Sequence, residues 1–209
     1  MQQNRARFFP LIIIIVIVAL VIAALVSIGR AVFNSGDGNS NEQTEQVDSD
    51  REALLNTSTG RSVQMTVRGP IVAQEDFTSY RISASNGERS MKVYKGYLEE
   101  ETNGKTLSNN TQAYEEFVYA LDKANMVKSR DVANDESATD LRGICARGYV
   151  YEYATVSGGN EVKKLWTSSC DGSKGTLNAS KDQLSELFLA QIPGSKELIP
   201  FRTSNILRF

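Results

Sequence analysis

Histidine is absent from this chain of 209 residues. Its absence excludes Ser–His and Cys–His nucleophile–base pairs, and with them the commonest general base and much hydrolase chemistry. Cysteine is nearly as scarce: Cys145 and Cys170 are the only two, with no CxxC. Two thiols without histidine leave zinc short of its usual ligands, so no metal is expected. No GxSxG, GxxxxGK[ST] or GxGxxG motif is present, and no cofactor is expected. An excess of base is lacking too. Residues 61–209 hold 19 bases and 19 acids, without the basic stripe that nucleic acid or anionic lipid requires.

The carboxylates that remain sit in polar surroundings. Glu99-Glu100-Glu101 and Glu115-Glu116 read as solvated surface, and Ser173-Lys174 reads as a Gly-flanked loop rather than a catalytic dyad. The sequons at Asn56 and Asn178 are short patterns that matter only in a glycosylating host. A histidine-free enzyme of the cell envelope is the alternative that stays open.

What the chain has in abundance is an uncharged run from Phe8 to Ile28, 21 residues of which sixteen are Phe, Leu, Ile or Val. As a helix it spans roughly 30 Å, the thickness of a bilayer's hydrocarbon core. A lone strand there would leave its backbone amides unsatisfied in lipid, so helix is expected despite the β-branched content. Pro10 falls in the first turn, where its missing donor is harmless, and Arg7 can snorkel to the interface. The leader carries Arg5, Arg7 and the terminal amine; beyond the run Arg30 stands alone until Arg51. The positive-inside bias therefore places residues 1–7 in the cytoplasm, a transmembrane helix at 8–29 and everything after it outside.

A cleaved secretory signal is the competing reading, since Ser27 and Gly29 have suitable spacing for a cut. The run is longer than a signal core of roughly 7 to 15 residues, and Arg30 would follow the cut directly, so a retained single-pass anchor is favoured. With no cysteine after the run and no Glu early in it, neither a lipoprotein nor a type IV pilin is supported. Ala19, Ala23 and Ser27 fall on one face at small-xxx-small spacing, which would suit a homodimer, although Ala is common in membrane helices and the pattern lacks Gly.

Residues 30–60 read as an acidic tether. From Asn34 to Gly60 six acids face one base and no aromatic residue occurs, so no core is expected beyond a helical turn around Leu54 and Leu55. Residues 61–209 are long enough for one domain. Alternation at Val63, Met65 and Val67, then at Tyr80, Ile82 and Ala84, then at Met91 and Val93 towards Tyr97, predicts three strands, the last two joined by a turn at Asn86-Gly87. Tyr114, Phe117, Val118 and Leu121 predict an amphipathic helix after a cap at 109–111. Ile144 to Val156 and a run through Trp166 to Cys170 predict a hairpin closed at Gly158-Gly159, and Ser180 with Gln183 caps a last helix stopped by Pro193. The order βββαββα is an α+β domain with a mainly antiparallel sheet and two helices.

If that hairpin closes through two to four residues, opposed partners sum to about 315 to 317, and Cys145 meets Cys170. The disulfide would close a loop of about 26 residues, worth roughly 3 to 4 kcal/mol, and outside the membrane it is a structural bridge. The same register puts Tyr149, Tyr151 and Tyr153 beside Trp166 on one face, with Ile144, Ala146, Val150, Ala154 and Leu165 on the other. That aromatic face is the candidate binding patch for an envelope protein or cell-wall ligand, unless the rings simply cover the disulfide. The sequence thus points to a membrane-anchored binding or scaffolding domain at the cell envelope, or to a subunit of an envelope assembly.

Overall fold

The computed structural model describes residues 49–131, 140–172 and 175–201. The apolar run with Ala19, Ala23 and Ser27, most of the acidic stretch, and Ser173-Lys174 lie outside them. Among the described residues no helix is long and apolar enough to cross a membrane.

The domain is α+β, a six-stranded antiparallel sheet with four helices. Helix α1 covers 49–55. Strands β1 (Arg61–Arg68), β2 (Thr78–Ser85), β3 (Glu88–Lys95) and β4 (Glu100–Ser108) form a meander, followed by α2 (Thr111–Lys123). The hairpin β5 (Val150–Ser157) and β6 (Asn160–Ser168) precedes α3 (Lys181–Ala190) and a single turn, α4 (Ser195–Leu198). The strand order is β4-β3-β2-β1-β5-β6, so β1 is flanked by β2 and β5 and joins the meander to the hairpin.

Alternation gives the sheet two unlike faces. One cross-strand ladder runs Met91, Ile82, Met65, Tyr153, Leu165, and all five are buried. The helices cover this face. Tyr114, Phe117, Val118 and Leu121 of α2 and Leu184 and Phe188 of α3 pack there, with Phe117 edge-on to Phe188 at 5.2 Å. The expected caps form: Asn110 accepts from Ala113 N at 2.9 Å, and Ser180 from Gln183 N at 3.3 Å.

Several elements depart from expectation. Strand β4 was hidden in sequence because EETNGKTLS has one apolar residue; it is an exposed edge strand whose charges discourage further pairing. The turn expected at Leu54 and Leu55 is a helix that belongs to the domain. Leu54 is 1% exposed within the main core, Arg51 holds Asp122 through two hydrogen bonds of 2.7 and 2.9 Å, and Asp50 pairs with Lys163 at 2.6 Å. The acidic stretch therefore does not act as tether through to residue 60. Lastly, β5 begins at Val150 rather than Ile144, and β6 ends at Ser168 rather than Cys170.

If α1 is part of the core, Leu54→Ala should destabilise the domain by about 2 to 5 kcal/mol in urea denaturation, as for other buried leucines. Arg51→Ala should cost under about 1 kcal/mol, because Arg51 is half exposed and water screens the pair. Arg51's hydrogen bonds hold the Asp122 carboxyl below its ordinary range. That contribution should be full at neutral pH and fade as pH falls through the folded value, so the two proteins should converge in acid.

Candidate functional site

The hairpin carries the expected disulfide by an unexpected register. Near the turn, Ser157 opposes Asn160 and Val156 opposes Glu161, the partner sum the sequence predicts. A bulge then skips Val162, so that Thr155 opposes Lys163 and every later pair is shifted by one residue. A one-residue shift moves a strand's side chains to the other face. Trp166 accordingly stands opposite Glu152, while Tyr151 and Tyr153 share the helix-covered face with Leu165. The aromatic patch of Trp166, Tyr149, Tyr151 and Tyr153 does not form.

Each of these rings has another job. Tyr153 donates to the Lys181 carbonyl at 3.0 Å, lies 3.0 Å from Ser185 Oγ, and has its ionisation pushed up by burial. Tyr151 lies under the Lys181 ammonium, 5.6 Å from the ring centre, and burial pushes its pKa up to about 12. Tyr149 is half-buried against Phe201, 4.7 Å between centres. Trp166 is 5% exposed in a second, smaller apolar cluster with Cys145 and Val150, against which Leu141, Ile144 and Cys170 pack.

Cys145 and Cys170 are bonded, with Cα atoms 5.3 Å apart. Both lie in loops beyond the hairpin ends, and Cys145 takes a left-handed backbone, φ 57°. Glycine is required at 148, since a Cβ there would come within 2.6 Å of Cys145 Sγ. The bonded loops cap one corner of the sheet face that the helices leave uncovered.

The rest of that face is polar and internally paired. Buried Glu152 accepts from Arg68 Nε at 2.5 Å and lies 3.7 Å from Lys164 Nζ. Glu99 sits between Arg68 at 3.1 Å and Arg81 at 3.6 Å, and Arg81 also donates to Thr66 Oγ1 and stands over the Tyr94 ring. The expected surface acids thus include one, Glu99, that two arginines hold in place. Interlocked charges of both signs account for an uncovered sheet face without requiring a ligand.

An apolar corner that the sequence reading missed lies at the disulfide end of the sheet. Four of the six exposed large apolar side chains among the described residues gather there: Ile71 (46% exposed), Val72 (43%), Tyr97 (47%) and Leu98 (90%). They come from the β1–β2 loop and the β3–β4 turn, and their backbone is fixed. Tyr97 stacks on Phe77 at 4.1 Å; its hydroxyl donates to Val72 O at 2.9 Å and accepts from Val72 N at 3.2 Å. Gln74 accepts from Tyr97 N at 3.0 Å, and Ile71 N donates to Ala146 O, in the disulfide loop, at 2.9 Å. The available signal was an Ile-Val pair directly after Gly69-Pro70, ahead of Gln74-Glu75-Asp76.

Elsewhere, a cleft of about 580 Å³ beside α3 and α4 is lined by Leu189, Ala190, Ile192 and Pro193 among others. Its Ser195 hydroxyl donates to the Leu189 carbonyl at 3.0 Å, a bond that ties the turn together. Among the described residues no group of three or more acids or cysteines could hold a metal ion. No protein-family model matches the chain, and no curated protein matches it.

If the disulfide staples the smaller cluster, replacing both cysteines by serine should cost roughly 3 kcal/mol and shift the emission of Trp166, the sole tryptophan, to the red, while far-UV circular dichroism is kept. Unchanged emission in the folded variant would contradict this.

Proposed function

We propose that this is a single-pass membrane protein that holds its disulfide-bonded α+β domain outside the cytoplasm as a binding or scaffolding module of the cell envelope. The observation that carries the reading is an uncharged run of bilayer length, Phe8 to Ile28, ahead of a domain whose only two cysteines are joined. A structural disulfide belongs to an oxidising compartment, which is where the positive-inside bias of the run sends everything after it. The contact surface is the apolar corner of Ile71, Val72, Tyr97 and Leu98, a rigid exposed patch of the kind that marks interaction sites on soluble domains.

Fractionation with protease shaving of intact cells tests this. The full chain should stay with membranes through alkaline carbonate washing, lose its domain to external protease, and resist thiol alkylation until reduced. Recovery in the soluble fraction, or a domain shielded from external protease in cells whose membranes are intact, would overturn the assignment.

A further inference from the structure

We propose that Arg68 and Arg81 form a binding site for the carboxylate of an acidic peptide segment, and that Glu99 is the domain's own stand-in for that ligand, displaced when a partner presents one. The site lies on the uncovered sheet face and depends neither on the membrane anchor nor on the apolar corner.

Both arginines are aimed by groups other than Glu99. Arg68 donates through Nε to buried Glu152 at 2.5 Å. Arg81 donates through Nε to Thr66 Oγ1 at 3.1 Å, and its guanidinium stands over the Tyr94 ring, 5.6 Å from the centre. Each fork is thus fixed at its inner end, while the outer nitrogens converge on one carboxylate. Arg68 Nη1 lies 3.1 Å from Glu99 Oε1, and Arg81 Nη2 lies 3.6 Å from Glu99 Oε2. One oxygen to each guanidinium is the arrangement a planar carboxylate takes in a preorganised site.

Ser79 adds an unmet group. In the cross-strand row it stands between Arg68 and Tyr94, on the same face; it is 1% exposed, and its hydroxyl has no hydrogen-bond partner among the described residues. A buried hydroxyl left unpaired is costly, and Glu99 does not relieve it. A ligand seated between the arginines has that donor within the site.

The other charges of the face are matched without Glu99, Lys92 by Glu101 at 2.9 Å and Lys164 by Glu161 at 2.8 Å. Arg68 and Arg81 against Glu152 leave one positive charge, and Glu99 neutralises it. Of these groups Glu99 alone is carried by a turn rather than a strand. Its backbone is left-handed, φ 57°, a conformation that suits glycine better. What the position gains from glutamate is therefore the carboxylate over the arginines. The side chains of Arg68, Arg81 and Glu99 are 35%, 31% and 32% exposed, so water screens both pairs and an outside carboxylate can exchange with Glu99 at small cost. Such an internal competitor weakens every ligand by the fraction of time it closes the site.

The test titrates the full chain, in zwitterionic micelles, with a short polyglutamate peptide and with polyglutamine as its neutral counterpart, following the backbone amides of Ser79 and Arg81 by NMR. Polyglutamate should shift them saturably and polyglutamine should not. Glu99→Gln and Glu99→Gly, the second of which relaxes the turn, should each bind polyglutamate about fivefold more tightly than the unmodified chain, because the competitor is gone. Glu101→Gln, an equal change of charge on the same face, should not gain. Adding Arg81→Lys to Glu99→Gln keeps the charge but removes the fork, and should abolish the gain. Far-UV circular dichroism and Trp166 emission check that each variant is folded. Folded Glu99 variants that bind no more tightly than the unmodified chain overturn the proposal and leave Glu99 as a brace of the turn. An equal gain in Glu101→Gln overturns it too, since charge alone then draws the peptide. A gain that survives Arg81→Lys removes Arg81 from the site, and inorganic phosphate bound as tightly as the peptide overturns the assignment to carboxylate.

Discussion

Strand β1 pairs with β2 from Ser62 to Arg68 on one side and with β5 along its whole length on the other, and the second pairing binds two separate pieces of chain into one sheet. The meander β1–β4 and the hairpin β5–β6 each have local turns, but neither alone gives the helices a surface wide enough to cover. Residues Arg61–Arg68 against Val150–Ser157 supply that width, and they align Met65 with Tyr153 and Val67 with Tyr151 under α2 and α3. The loop end depends on the same pairing. Arg68 stands opposite Val150, so the β1–β2 loop that follows and the disulfide loop that precedes are brought side by side, close enough for Ile71 N to reach Ala146 O.

The consequence is a domain with two unlike faces and two apolar bodies. The larger body lies under the helices and makes the fold. The smaller one, around Trp166 and the disulfide, lies on the opposite face and fixes the loops at one end. Between them the uncovered sheet surface carries interlocked charges instead of apolar side chains. What remains exposed and apolar is concentrated at the loop end, where no helix reaches and where the bonding of the loops to each other keeps the tip in shape.

Much of the fold was legible because its signals are local. Asn86-Gly87 fixes one hairpin; the period of Tyr114, Phe117, Val118 and Leu121 fixes α2; Asn110 and Ser180 start their helices as written. The misses have physical reasons. Strand β4 is exposed along its length, so no alternation could mark it. Helix α1 is held by Leu54, with Leu55 partly buried beside it, and by ion pairs to residues 71 and 113 positions away, which composition alone cannot reveal. The binding patch failed on a single residue. Val162 bulges out of β6, and a strand's period of two turns that slip into an exchange of faces for Trp166 and Leu165. The disulfide survived the slip because both cysteines lie in loops outside the β5–β6 ladder. The apolar corner was not read as one surface because Ile71-Val72 and Tyr97-Leu98 are 25 residues apart and meet only through the sheet.

The central claim is that the β1–β5 pairing makes one cooperative unit of meander, hairpin and loop end. Native-state hydrogen exchange tests it most directly, by comparing ladder amides of β1 and β5 with those shared by β2 and β3. All should exchange through the same global opening, with one free energy and one denaturant dependence. A β5–β6 hairpin that opens separately, at lower free energy and with the meander still protected, would contradict the account.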